Sequence, residues 1–267
     1  MKPDSGEITL FGTNSKVNDQ QKLKKIGYMG QQINALWNLK LIKAVSLTAR
    51  LKGMGRKEAI DEAEYIVNDL LGVPHLANKT IGDMSGGERR IGFFCISITG
   101  DPEILILDEP TNDMAPEIRR KVWDLLLEKN RQGKTILLVT HNVSEAEKVL
   151  DKVLIMNKGE IIASGPISNI KKMIPHQHKL EFYFDPDYRD KIVNDFNSEF
   201  DIDMESFVSK TKGSVPLPSG KLLEIMTEVI NLNQKNIIED FKLIGGSLED
   251  IYFYSTKNSF LGEGYKN

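Results

Sequence analysis

The chain is 267 residues long, and at roughly 150 residues per domain that calls for two domains, or one large domain with an appendage. Apolar residues make up 40%, and 35 basic against 38 acidic side chains leave a net charge of −3 with the signs interleaved; a nucleic-acid tail or polybasic membrane anchor, which needs concentrated positive charge, is excluded. The single cysteine, Cys95, excludes an internal disulfide and a cysteine-rich zinc site and fits a reducing compartment, while the longest apolar runs, such as Ile104 to Leu107, fall far short of the ~20 residues of a membrane span.

The N-terminal string MKPDSGEITLFG lacks the apolar core of a signal peptide, so the expectation is a cytosolic protein. It opens on a turn and a strand, as though something preceded it. Residues 6 to 11 and 25 to 29 read as short strands on either side of the polar run Thr13 to Lys24. Residues 36 to 52 carry Trp37, Leu41, Val45, Thr48 and Leu51 at helical spacing, with Gly53 as the stop. Residues 56 to 71 repeat the pattern up to Gly72. A helix from Ser85 to Ile98 ends at Gly100, and Pro102 precedes a wholly apolar strand, Ile104 to Leu107. A helix from Pro116 to Asn130 and a second apolar strand, Thr135 to Val139, follow. Two strands without alternation joined through a helix predict a buried parallel sheet. Residues 153 to 164 predict a hairpin turning at Asn157-Lys158-Gly159.

The composition changes after Gly165-Pro166. A strand over 179–184, a helix over 187–197, strands over 206–210 and 213–217, an amphipathic helix over 219–232 and a strand over 238–244 give the order βαββαβ of a ferredoxin-like unit. The segment SLEDIYFY begins a short helix capped by Ser247, and residues 256–267 are expected to be loose.

Four elements carry chemistry. The string ILILDEP ends an apolar strand in Asp108 and Glu109, placing two carboxylates at the edge where α/β sheets bind ligands. Asp108 would hold Mg²⁺ directly or through water and Glu109 would polarise an attacking water; the plain alternative is an acidic loop after a buried strand. In MSGGERR, Ser85 and Glu88 form an S-x-x-E capping box. The same helix start, with Gly86 and Gly87 leaving backbone N–H groups uncovered at a positive dipole end, suits a phosphate. Capping alone does not need consecutive glycines, each costing ~1 kcal/mol in a helix. His141 leaves the second apolar strand where it would reach the edge that carries Asp108 and Glu109. Gln31, after GYMG, means little by itself. His176-Gln177-His178 stands without carboxylate or thiol support and reads as a solvated loop rather than a metal pair.

In the order Gln31, Ser85-Gly86-Gly87-Glu88, Ile104 to Glu109 and His141, with a helical insert after the first, these elements resemble the nucleotide-binding subunit of an ABC transporter. The resemblance runs from Lys2 to Gly165. KPDSGEITLFG resembles the family segment just after the first P-loop helix, DKVLIMNKGEIIASG its post-switch hairpin, and GSLEDIYF the tail of drug-export ATPases. It implies an α/β, P-loop-NTPase-like parallel sheet core, incomplete at its N-terminus, over residues 1–165, with a helical subdomain over about 32–100. A small α+β ferredoxin-like domain would occupy 166–267. It implies Asp108 on Mg²⁺, with Gln31 sensing metal and water, Glu109 orienting or deprotonating the lytic water, and His141 on the γ-phosphate. Ser85, Gly86 and Gly87, with Glu88 behind them, would clamp ATP held by an opposite subunit. The implied cofactors are ATP and Mg²⁺. The implied partners are an integral-membrane permease and a second nucleotide-binding subunit, not nucleic acid, and the implied place is the cytoplasmic face of the membrane.

The family pattern is not complete. Glu88 stands for the commoner Gln, Ala115 for the aspartate of the loop after DEPTN, and Lys43-Ala44 for a family Glu-Asn. No G-x-x-x-x-G-K-[ST] string occurs, and Gly133-Lys134-Thr135 lies in a turn with Glu128 where the first glycine belongs. Three readings follow: an exporter subunit whose P-loop lies upstream of Met1; a short partner lending its signature helix in trans to a complete subunit; and a soluble ABC protein of repair or translation, which the lack of coiled-coil inserts disfavours. An incomplete core also predicts exposed apolar strands and poor stability in isolation.

Overall fold

The computed structural model describes residues 4–14, 19–31, 36–147, 149–173, 178–200, 202, 204, 207–218, 220–248 and 250–251. They fall into two compact units divided between His141 and Asn142, so the division precedes the 153–164 hairpin, whereas the change in composition comes after it. Among the described residues no helix is long and apolar enough to cross a membrane.

In the first unit, strands β1 (Thr9–Leu10) and β2 (Thr13–Asn14) form a minimal antiparallel hairpin. The strand predicted over 6–11 shrinks to β1 because Gly6 and Phe11 take left-handed φ of 95° and 54°. The run predicted as a polar connector contains a short helix, α1 (Gln20–Lys24), whose first N–H groups bond to the Asp19 carboxylate. Strand β3 is Ile26–Met29.

Helix α2 (Leu41–Lys52) starts later than the predicted 36. Leu36 is left-handed at φ 74°, the Leu39 N–H bonds back to Leu36, and the Gly82 N–H bonds to the Trp37 carbonyl. Those turn bonds hold Trp37 outside the helix, where the Arg89 guanidinium lies 4.8 Å from its ring centroid. Gly53 ends α2 in the αL conformation. Helix α3 (Arg56–Glu64) continues as a π-helical segment, Tyr65–Leu70. Ala44 is fully buried.

Helix α4 (Gly86–Ile98) begins at Ser85 with both bonds of the capping box formed. It buries Ile91, Phe93, Phe94, Cys95 and Ile98, and burial pushes the Cys95 thiol up to about 12. Strand β4 (Ile104–Asp108), helix α5 (Pro116–Arg131) and strand β5 (Thr135–Val139) match the predicted elements. Proline sits in the first turn of α5, where its missing N–H costs nothing.

The three strands pair in parallel in the order β3-β4-β5. Helix α4 packs against β3, an approach that only glycine permits: a Cβ on Gly27 would lie 2.1 Å from the Ser97 carbonyl oxygen. The face with Met29, Leu105 and Leu107 is buried, but Tyr28, Leu137 and Val139 on the other face are 61%, 56% and 54% exposed. The predicted parallel sheet forms, and it is covered on one face only, with the exposed apolar strands that an incomplete core implies. Apolar side chains alternate on both faces as a doubly covered sheet requires, and among the described residues only one face has its cover.

In the second unit, α6 (Val143–Ala146) leads to the hairpin β6 (Lys152–Asn157) and β7 (Glu160–Pro166). Its turn lies where predicted, because Lys158 and Gly159 both take positive φ, 49° and 85°. Helix α7 (Ile167–Lys171) follows, and Ala163 and Ile170 pack with Leu248 and Ile251 from the C-terminal segment. Where Ser247 was expected to cap the segment, its N–H and hydroxyl both donate to the Asp250 carboxylate instead. Asp250 also pairs with Lys179, and the Leu248 N–H donates to Glu147 at 2.6 Å. The drug-export-type tail match beyond Ile251 and the loose tail over 256–267 lie outside the described residues.

Strand β8 (His178–Phe184), helix α8 (Arg189–Phe200), strand β9 (Lys212–Leu217), helix α9 (Leu222–Gln234) and strand β10 (Ile238–Gly245) form an antiparallel sheet in the order β10-β8-β9. Leu180, Phe182, Phe184, Val215 and Leu217 meet Phe196, Ile225 and Val229 in one core. This is the ferredoxin-like order with one strand reduced. Of the strand predicted over 206–210, the described residues keep a single bridge, Val208 to Gly213. The Ser209 hydroxyl bonds both backbone groups of Lys212, and such local bonding competes with a ladder. His178 belongs to β8; residues 176 and 177 lie outside the described residues.

Candidate functional site

Parallel pairing brings three strand ends to one edge. Met29 pairs with Leu107, and Asp108 with Val139. Gln31, Asp108-Glu109 and Thr140-His141 therefore emerge side by side from β3, β4 and β5. The Asp108 carboxylate is half-buried, and no side chain among the described residues bonds to it.

Glu109 departs from the strand. Its N–H still bonds to the Val139 carbonyl at 2.8 Å, but its φ of 49° turns the side chain out of the two-residue alternation. A left-handed non-glycine residue costs of order 1–3 kcal/mol, and three contacts hold this one in place. The Thr140 hydroxyl donates to Oε2 at 3.1 Å, the His141 N–H donates to Oε1 at 2.9 Å, and His141 Nδ1 lies 2.7 Å from the same Oε1. The carboxylate and the imidazole thus form one unit at the sheet edge, the histidine ring mostly exposed and the carboxylate mostly covered.

Helix α4 begins beside this edge. Glu88 Oε2 takes the Ser85 N–H at 2.8 Å and the Lys79 ammonium at 2.6 Å. The Lys79 bond first, then the Ser85 N–H, hold the Glu88 carboxyl below its usual range. That side chain is engaged within its own chain. The two glycines differ. A Cβ on Gly87 would lie 2.2 Å from the Asp113 carbonyl oxygen, whereas one on Gly86 would meet nothing within 4 Å. Gly87 lets the loop after Glu109, itself left-handed at Asp113 (φ 58°), lie against the helix. Packing explains Gly87, and among the described residues nothing lies within 4 Å of the position a Gly86 side chain would take. Gly87→Ala is expected to cost about 1–3 kcal/mol by overpacking, and Gly86→Ala to change stability by less than about 1 kcal/mol. Denaturant unfolding of the two variants checks the contrast; equal costs would remove it.

Ala115 is the N-cap of α5 and offers no side-chain acceptor to its first turn, the bond an aspartate there would make. Gly133-Lys134-Thr135 is not a phosphate loop. Gly133 turns at φ 83°, and Lys134 is paired to Asp101 at 2.7 Å.

The residues the sequence did not single out are Lys79 and Arg90. Arg90 is only 8% exposed, and its Nη1 donates to the carbonyls of Gln31 at 3.2 Å and Gly30 at 3.4 Å. A cation on the buried side of an otherwise apolar helix was the available signal.

Residues 1–112 match the family model described as ABC transporter. ATP-binding cassette sub-family A member 7 of Rattus norvegicus is 28% identical over 262 residues, 96% of this chain and 12% of the relative. Methionine import ATP-binding protein MetN 1 of Staphylococcus epidermidis is 24% identical over 97% of this chain and 74% of its own length. The chain thus spans about an eighth, 12%, of the length of the first of these relatives. Among solved structures, an ATP binding subunit of an ABC transporter superposes with a TM-score of 0.58 at 20% identity, over 64% of this chain and 71% of that one; that likeness speaks to the fold.

Proposed function

We propose that this chain, which carries an ABC-type nucleotide-binding domain, is the ATP-binding subunit of a transporter of the export type and couples ATP hydrolysis to movement through a separate membrane permease. The observation that carries the reading is the shared edge at which Asp108, the Glu109–His141 pair and Gln31 leave adjacent strands. Asp108 fits Mg²⁺, because a half-buried carboxylate with no partner among the described residues is what a cation held mainly by phosphates and water needs. The described residues hold no cluster of three or more His, Cys, Asp or Glu that would cage a metal by themselves. When bound, Mg²⁺ would neutralise charge on the transferred phosphoryl group. Glu109 would take the proton of the lytic water, and His141 would donate toward phosphate. The Ser85 hydroxyl and the N–H groups of Gly86 and Gly87 would face the phosphate of ATP held by a second nucleotide-binding subunit, with Glu88 behind them holding the Ser85 N–H. The permease would keep the chain on the cytoplasmic face of the membrane.

The phosphate grip is supplied from outside these 267 residues, since no P-loop string occurs in them. One preorganised donor to phosphate-like charge is worth ~3 kcal/mol, and a lysine with several N–H groups is needed. The purified chain is therefore expected to bind Mg-ATP with Kd above ~1 mM, about 4 kcal/mol. Calorimetric titration tests this, and a saturable micromolar site would overturn it. The open surroundings of Gly86 also favour a second reading, in which the chain lends α4 in trans to a complete ATPase. Co-purification with a P-loop-bearing subunit that retains ATPase activity when Glu109 is replaced would select that reading.

A further inference from the structure

Arg90 is the one cation among the described residues of α4 that the fold buries. Taking a guanidinium out of water costs several kcal/mol unless it is paired, and no carboxylate among the described residues pairs with it: its bonds run from Nη1 to the carbonyls of Gln31 and Gly30. For packing alone an apolar side chain of similar length would serve better. What the arginine adds is direction, since a charge-assisted donor fixes carbonyl positions in a way that methylenes do not.

Helix α4 is fixed at both ends of this contact. Its far half lies against β3 at Gly27, and its first turn meets the Asp113 loop at Gly87. We propose that Arg90 is a positioning residue that mounts Gln31 on helix α4, so that the Gln31 side chain and the glycine start of α4 move as one body. This rests on the reading that both contact nucleotide in the assembled ATPase. Neither Arg90 nor its carbonyl partners touch nucleotide in this scheme; Arg90 acts through Gln31.

Two measurements test it. In the purified chain, Arg90→Met is expected to move the carbonyl ¹³C resonances of Gly30 and Gln31 upfield, as for carbonyls that lose a donor, while the amide resonances of Ser85 to Gly87 stay in place. Arg90→Lys, which retains a charged donor, is expected to keep most of the wild-type shift. In the assembled transporter, Arg90→Met is expected to lower kcat at least tenfold, the factor carried by 1.4 kcal/mol, with KM for ATP within about threefold of wild type. Arg90→Lys should recover most of that loss, and Gln31→Ala should add nothing to Arg90→Met, since residues that act as a unit are non-additive. If the carbonyl resonances do not respond to Arg90→Met, or the two kcat losses multiply, the proposal is overturned. A wild-type assembly that fails to hydrolyse ATP defeats the reading beneath it instead, and the two failures are told apart by which sample shows them.

Discussion

In the assembled transporter proposed above, Glu109→Gln is expected to lower ATP turnover by about 10²- to 10⁴-fold, the contribution of a positioned general base, while KM for ATP moves little. The amide is nearly isosteric with the carboxylate, so the left-handed backbone at 109 is kept. What changes is the bonding. Glu109 presents two acceptor oxygens to three donors, the Thr140 hydroxyl, the His141 N–H and His141 Nδ1. A glutamine has one acceptor oxygen, so its NH₂ must face either the Thr140 hydroxyl or the His141 side. The hydroxyl can rotate to accept, so the amide is expected to settle with its nitrogen toward Thr140, at a stability cost of about 1 kcal/mol. A large fall in turnover with a small fall in thermal stability separates loss of the base from loss of the fold. Turnover within tenfold of wild type would remove Glu109 from the base role.

The largest expected stability effect lies in the second unit. Phe182→Ala is expected to cost about 3–5 kcal/mol, the range for an aromatic side chain removed from a packed core. Its ring is fully buried, with centroids 5.8 Å from Phe184 and 6.1 Å from Phe196. It also fills the space over its strand neighbour: Phe182 pairs with Gly213, and a Cβ there would lie 2.4 Å from the ring. Ring and glycine form one packing solution, so the two positions should not be additive. Gly213→Ala is expected to cost about 1–3 kcal/mol in the wild type and much less in the Phe182→Ala background, where the ring is gone. Urea unfolding of the four proteins checks this, and additive costs would show that the ring does not depend on the glycine.

Period and caps made much of the fold legible. Ser85 with Glu88 fixed the start of α4, Pro116 the start of α5, and Lys158-Gly159 the hairpin turn, because each depends on neighbours in sequence. Trp37 misled because its helical spacing with Leu41 is overridden by the Gly82 bond to its carbonyl, a partner 45 residues away that no local pattern encodes. The strand predicted over 206–210 was lost for a local reason instead: among its described residues the Ser209 side chain bonds Lys212 and competes with the ladder. At the site, the acids and the histidine were readable as strand ends. Their pairing was not, since it depends on the left-handed turn at Glu109. Gly87 read as half of a phosphate motif, and the structure gives it a steric duty against Asp113. Arg90 went unread because a buried cation is recognised by its partners, which lie some 60 positions earlier in the chain at Gly30.

The lone thiol has a practical consequence. Cys95 is the single cysteine in the chain, fully buried in α4 and poorly ionised. Thiol reagents attack thiolates they can reach, so labelling must wait until α4 leaves its place against β3. Disulfide-exchange reagents will therefore time the opening events of the first unit alone, in wild-type protein and without an introduced probe. A lesion confined to the second unit, such as the one at Phe182, should leave that clock unchanged.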